Sequence, residues 1–249
     1  MAKTKTALIY EHIQPVTAAR YARHSVDIGR DFRFAAGLES VPALAEEFRS
    51  LARICPIVFA GPAEAPLPNA LLGMKRGQNV FIGPNGGWAA PYIPAFLRRY
   101  PFISAPTKQA GEKVLGIDDA FAGLNTAGKG HALFDADGSE SKFLRDVGVF
   151  VANFDAGLAA TRAFVGRLLA RNLLEPMSIR ITDASGETTA GIGGMFGLSR
   201  ARLDALGPKA RAELKKAGDL DRCALHLKSL EHIRRAGTGT KRPAPPTRY

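Results

Sequence analysis

The residues best equipped for chemistry lie between Trp88 and Phe102. Arg98 and Arg99 stand beside Tyr100 and Phe102 there, with Trp88 and Tyr92 close upstream. A guanidinium is a permanent planar cation with a fork of donors, and an aromatic ring offers it a negative face. Together they can hold a carboxylate, a phosphate or the plane of an aromatic ligand. They can equally form a structural cluster in which arginine satisfies buried carbonyls or carboxylates. Two further candidates could work with them. Asp118-Asp119 follows an apolar run and suits either acid–base work or a solvated turn. His226 shares a helical face with Arg222, Leu230 and Ile233, as a base or as a satisfied, partly buried imidazole. The ligand-binding candidates are therefore Trp88, Tyr92, Arg98, Arg99, Tyr100, Asp118 and His226, and no residue is assigned as catalytic.

Other chemistries fail on spacing. Gly191-Ile-Gly193-Gly194-Met-Phe196 puts Phe where a dinucleotide fingerprint needs its third Gly, and Gly237-Thr-Gly239-Thr-Lys241 lacks the spacing of a Walker loop. Asp135 and Asp137 begin an EF-hand register that Glu140 and Asp146 break. The five histidines never fall at i, i+4, and the two cysteines lack metal-ligand spacing, so no metal is expected. No Gly-x-Ser-x-Gly elbow exists, and no cofactor is expected.

The chain has 249 residues, 46% of them hydrophobic, a balance that excludes wholesale disorder and a disulfide-stapled miniprotein. Its net charge is +11. From Pro208 onward eleven basic residues face four acidic ones, a balance of +7, which leaves +4 for residues 1–207. Such a body is not built around a polyanion. The amino-terminal stretch has no apolar run of secretory length, and nothing approaches the ~20 apolar residues of a membrane span. With two distant cysteines read as thiols, the expected compartment is the cytoplasm.

The candidates need elements to position them. Residues 1–35 read as an extended arm that lays Tyr10, Phe32 and Phe34 on the body. Val41-Pro42 with Leu44, Phe48 and Leu51 predicts an amphipathic helix ending before Pro56, and Ile57–Ala60 a strand. Pro62–Pro68 reads as loop, Leu71–Gly73 and Val80–Ile82 as short strands, and Lys113–Asp118 as another strand. From about 141 to 172, apolar residues stepping by three or four predict one long amphipathic helix, stopped at Pro176. Ser178–Thr182 and Thr188–Ile192 flank Asp183-Ala-Ser-Gly186 as a hairpin, and Phe196–Leu198 reads as a last short strand. Helices opening at Ser199, Pro208 and Asp221 form a C-terminal group. This order predicts an α+β fold with a mixed or antiparallel sheet, one domain over 1–235 and a basic, proline-containing disordered tail over 236–249.

The segment from Trp88-Ala-Ala-Pro-Tyr92 through Arg98-Arg99-Tyr100-Pro101-Phe102 resembles the signature of the SapC family of bacterial proteins. Cys55–Phe59, Asn79–Phe81, Leu133–Gly138, Leu173–Pro176, Arg202–Leu206 and Leu225–Leu230 match in the same order, so the resemblance runs from about residue 5 to 235. It implies a bacterial protein tied to a surface-layer gene locus, encoded in many genomes near TonB-dependent receptors and flavin-dependent, tryptophan-halogenase-like proteins. It supplies no catalytic residues. The peptide-transporter permease that shares the name is a different protein, and the expected absence of a membrane span excludes it.

Three functional readings follow. The first is a non-catalytic cytoplasmic accessory or binding protein with a partner protein or a small carboxylate or aromatic ligand, linked to surface-layer or TonB-dependent uptake functions. The second is an enzyme or binding protein acting on an amino-acid or aromatic metabolite, with Arg98 or Arg99 gripping a carboxylate and Asp118 or His226 as base. The third is nucleic-acid association through Lys241, Arg242 and Arg248, against which the near-neutral body argues.

Overall fold

The computed structural model describes residues 9–107, 111–182 and 188–233. The fold is α+β, and every pairing between its named strands is antiparallel. Residues 183–187, which hold the predicted turn, and Lys241, Arg242 and Arg248 of the predicted tail lie outside the described residues.

The stretch read as an arm contributes β1 (Ile13–Pro15), α1 (Ala18–Tyr21) and β2 (Ser25–Val26). A five-stranded sheet has the order β10-β11-β4-β5-β3, made of β3 (Ser40–Pro42), β4 (Ile57–Ala60), β5 (Leu67–Leu71), β10 (Leu174–Thr182) and β11 (Thr188–Leu198). A second sheet orders β1, β7 (Lys113–Asp118) and β6 (Phe102–Pro106), and a third orders β8 (Leu124–Asn125), β2 and β9 (His131–Ala132). Central β4 reads Ile-Val-Phe because both of its faces are covered: Ile57, Val58 and Phe59 are all buried.

The helix expected from Val41 starts later. Val41 and Pro42 pair with Ala70 and Asn69 as β3, and the helical segment begins with a 3₁₀ turn at Ala45–Glu47 that runs into α2 (Phe48–Leu51). Proline is tolerated at a helix start and on an edge strand alike, and here Pro42 belongs to β3, the edge strand paired with β5. Pro68 belongs to β5 rather than to the loop before it, paired with Phe59. Of the strands read at Leu71–Gly73 and Val80–Ile82, only Leu71 belongs to one, and Ile82 makes a single bridge with Trp88.

Next come α3 (Ala95–Arg98) and α4 (Lys142–Leu169). Ser141 caps α4, its hydroxyl accepting the Leu144 N–H at 3.1 Å. Its buried residues are Leu144, Val151, Phe154, Thr161, Phe164, Val165 and Leu168, and Phe154, Thr161, Val165 and Leu168 belong to the predicted apolar stepping. Pro176 does not end it. Asn172 takes a left-handed backbone (φ 50°), and its N–H meets the Leu169 carbonyl while the Leu173 N–H meets Leu168, a Schellman ending. Pro176 is then incorporated in β10. The chain closes with α5 (Arg200–Asp204), α6 (Pro208–Lys216) and α7 (Asp219–Ser229), and α7 packs on β4 and β11.

Candidate functional site

The site begins with a buried carboxylate that the sequence did not single out. Glu47, 4% exposed, accepts the Leu44 N–H at 2.9 Å, the Ala95 N–H at 2.7 Å and the Tyr92 hydroxyl at 2.8 Å. Three donors compensate a charge that would otherwise be costly to bury, and they fasten the 3₁₀ turn to the start of α3. Trp88 fixes the approach to α3: its indole N–H donates to the Tyr92 carbonyl at 2.8 Å, and its ring stacks on Phe81 at 5.2 Å. Ala95, Phe96 and Leu97 are buried, which leaves the next two residues at the rim of the core.

Those two residues meet α4. The Arg98 guanidinium lies 5.2 Å from the Phe150 ring centre and 5.5 Å from that of Tyr92. Its Nε donates to the Ile93 carbonyl at 3.0 Å and its Nη2 to the Tyr92 hydroxyl at 3.3 Å. Arg99 sits 4.3 Å from the centre of Phe154, 4.8 Å from Phe96 and 5.6 Å from Tyr10, and its buried Nε has no acceptor among the described residues. Phe150 and Phe154 are one helical turn apart, so consecutive arginines address consecutive rungs of α4. Neither arginine forms an ion pair among the described residues. Burial, reinforced by Glu47, pushes the Tyr92 phenol up to about 12, so it stays a neutral donor to Glu47 at physiological pH.

Arg98 stands at a cleft of about 240 Å³ whose walls include Glu46, Glu47, Tyr92, Phe150 and Asn153. Glu46 is exposed and has no hydrogen-bond or ion-pair partner among the described residues. Its position depends on Gly157 of α4, where a Cβ would fall 2.9 Å from Leu44 Cδ1 and 3.2 Å from Glu46 Oε1. Thr161, one turn on, accepts the Ala45 N–H at 2.8 Å and ties the same turn to α4. The cleft thus offers one unneutralised cation, one unneutralised carboxylate and aromatic surface between them.

The other predicted residues lie elsewhere. Tyr100 packs 4.4 Å from Phe34 and 5.3 Å from both Tyr10 and Phe121. Its phenol is pushed up to about 12 by burial and by Asp118. Asp118 is fully buried and accepts the Glu11 and His12 N–H groups at 2.8 Å each and the Ala120 N–H at 3.2 Å, so it anchors the chain entering β1. The exposed-turn role fits Asp119 better, which meets Arg20 at 3.0 Å. His226 is 1% exposed on α7, where its Nε2 accepts the Leu198 N–H at 3.1 Å and its Nδ1 has no hydrogen-bond partner among the described residues. Burial pulls its pKa down to about 4. Ring contacts running from His226 through Phe59 and Phe164 to Phe48 stand between it and the turn carrying Glu47.

Tyr92 and Arg98 therefore line the cleft, and Trp88 does not line it but holds the Tyr92 carbonyl. Arg99 and Tyr100 share the adjoining aromatic cluster with Tyr10, while Asp118 and His226 do not reach the cleft. The residues missed were Glu46, Glu47, Phe150, Phe154 and Gly157. Only Phe150 and Phe154 left a signal, as the two rings at i, i+4 on the predicted long helix. Among the described residues no group of three or more His, Cys, Asp or Glu is placed to hold a metal ion, and no helix is long and apolar enough to cross a membrane.

The family model described as SapC matches residues 16–235, which includes every residue of the cleft. No curated protein and no solved structure matches.

Proposed function

The chain belongs to the SapC family, and from that premise we propose a non-catalytic accessory protein that binds a small aromatic amino acid in the cleft between α3 and α4. Arg98 carries the reading: its guanidinium is oriented by the Ile93 carbonyl and the Tyr92 hydroxyl, faces two rings, and keeps its charge unneutralised at the mouth of a cleft. A ligand carboxylate answers that charge, an ammonium group answers Glu46, and an aromatic side chain lies on Phe150.

The non-catalytic part is supported by placement. Asp118 is committed to backbone donors, and His226 lies behind a row of rings, so neither acid–base candidate can touch a ligand at Arg98. The reading is set in the cytoplasm and in the surface-layer or TonB-dependent uptake functions that the SapC resemblance implies, where a ligand-holding protein would act beside other components.

Titration calorimetry of the full chain with L-phenylalanine, phenylacetate and phenethylamine tests it. Saturable binding is expected for L-phenylalanine, weaker binding for phenylacetate and the weakest for the amine. Arg98→Gln is expected to lower affinity for both carboxylates by about tenfold or more, the value of one charge-assisted hydrogen-bonded contact. Absence of saturable binding, or an Arg98→Gln protein that binds like the wild type, overturns the ligand; turnover of the ligand by the pure protein overturns the non-catalytic role.

A further inference from the structure

We propose that α5, α6 and α7 carry a second, independent site: a groove that receives an acidic amphipathic peptide segment of a partner protein. Its volume is about 420 Å³. Leu203, Leu220 and Leu227 form an apolar floor, and Arg200, Arg211 and Lys228 stand around it, one cation from each helix, with Glu231 as the one acid among the lining residues.

The arginines of these helices divide cleanly. Arg202 donates to the Asn172 and Leu174 carbonyls, and Arg222 to Asp219 and the Ala217 carbonyl. Arg200 and Arg211 have no hydrogen-bond or ion-pair partner among the described residues, and both rim the groove. Lys228 is equally unpartnered and exposed. Three cations against one acid leave the lining positive, and cations set around leucine in this way are complementary to an anion that brings its own apolar surface.

Three features narrow the occupant. The cations belong to three different helices, which matches several carboxylates along a segment better than one small anion. The leucine floor has no counterpart in a phosphate backbone, which argues for a peptide over nucleic acid. The chain after Ile233 adds Arg234, Arg235, Lys241, Arg242 and Arg248 without an acid, so its own C-terminal stretch carries the wrong sign to neutralise the rim. A peptide with Asp or Glu on one side and Leu or Phe on the other satisfies both rim and floor, in the manner of a helix lying in a groove.

The test uses the full chain and a fluorescein-labelled peptide of glutamate with leucine at helical spacing. Controls are a scrambled peptide of the same composition, phosphatidylglycerol vesicles and a DNA duplex. Saturable binding of the amphipathic peptide is expected, with loss of about tenfold or more when Arg200, Arg211 and Lys228 are each changed to Glu. All three are exposed and unpartnered, so the variant should keep the wild-type thermal melt, and the single reversals repeat the test should it not. Arg98→Gln should leave peptide binding unchanged, which separates this site from the cleft. The proposal is overturned by absence of binding, by equal binding of the scrambled peptide, by reversal variants that bind like the wild type, or by vesicles or DNA that use these cations while the peptide does not.

Discussion

Two arginine pairs in this protein have opposite fates. Arg167 and Arg222 close on one carboxylate: Asp219, fully buried, meets Arg167 Nε at 2.5 Å and Nη2 at 3.0 Å, and Arg222 Nη1 at 2.8 Å. Arg98 and Arg99 meet rings and a carbonyl but no acid. A guanidinium neutralised by a buried acid is part of the scaffold, because separating the two leaves a charge without water or partner. A guanidinium oriented by π-faces and a carbonyl keeps a net charge for something that arrives from outside. Arginine beside aromatic residues is common to both pairs, since Arg222 also lies 5.8 Å from Phe164. The discriminating feature is the acid: Asp219 stands three residues before Arg222 on α7, whereas Arg167 reaches it from 52 residues away on α4.

The sharpest way to break the comparison is to remove the acid. Asp219→Ala strands two guanidiniums beside the core and is expected to cost about 3–5 kcal/mol of stability, toward the lower end because both arginines remain partly exposed. Urea denaturation measures it. If Asp219→Ala lost no more stability than Arg98→Ala, the two pairs would be equivalent and the distinction would fail.

The closed side of the molecule also carries a pH signature. His226 is held neutral: the Leu198 N–H donates to Nε2, which places the ring proton on Nδ1. Its pKa in the fold is about 4, below the ordinary 6.5 of an unfolded chain. Between those values the unfolded chain binds a proton that the folded chain refuses, so stability falls as pH drops from 6.5 to 4, by about 3 kcal/mol in all. Gln at this position can supply an acceptor to Leu198 without titrating. His226→Gln should flatten the stability profile over that window, and an unchanged slope would assign the acid sensitivity to other groups.

What could be read from the sequence followed the range of the interactions involved. The long helix, expected over about 141–172 and observed at Lys142–Leu169, repeats its apolar residues locally and needs no distant partner to be seen. Strand Lys113–Asp118 was legible for the same reason. The arginine–aromatic segment was legible as composition, yet its meaning depends on Phe150 and Phe154, some fifty residues away, and on Glu47, which the stepping of Leu44, Phe48 and Leu51 places on a helix without showing that its carboxylate is buried against α3. Neither reading of Asp118, acid–base group or solvated turn, anticipates its burial, because its partners, the Glu11 and His12 N–H groups, lie across the pairing of β1 with β7. Buried carboxylates that accept backbone N–H groups leave little trace in sequence.

A smaller effect tests how the open cleft is shaped. Gly157→Ala inserts a methyl group against Leu44 Cδ1 and Glu46 Oε1. Leu44 is buried, so relief requires the turn to lift from α4, and overpacking of this kind costs about 1–3 kcal/mol. Lifting the turn also displaces Glu46 and Glu47 from the cleft. Affinity for L-phenylalanine should fall together with stability, and a variant destabilised but binding normally would remove the turn from the site.

The smallest stability effect carries the most information about function. Arg98 is exposed, and its hydrogen bonds end on one carbonyl and one hydroxyl that water can also serve. Arg98→Ala should therefore change stability by less than about 1 kcal/mol, the range of surface substitutions. Arg98→Lys keeps the charge but loses the planar fork that meets a carboxylate with two parallel N–H groups. If the cleft recognises a carboxylate by geometry, Lys and Ala variants should both lose calorimetric binding while their melts overlay the wild type. If charge alone suffices, Lys restores it. Should Arg98→Ala instead unfold the protein as Asp219→Ala does, Arg98 would belong with Arg167 and Arg222 as scaffold, and the cleft would lose the one group that gives it a ligand.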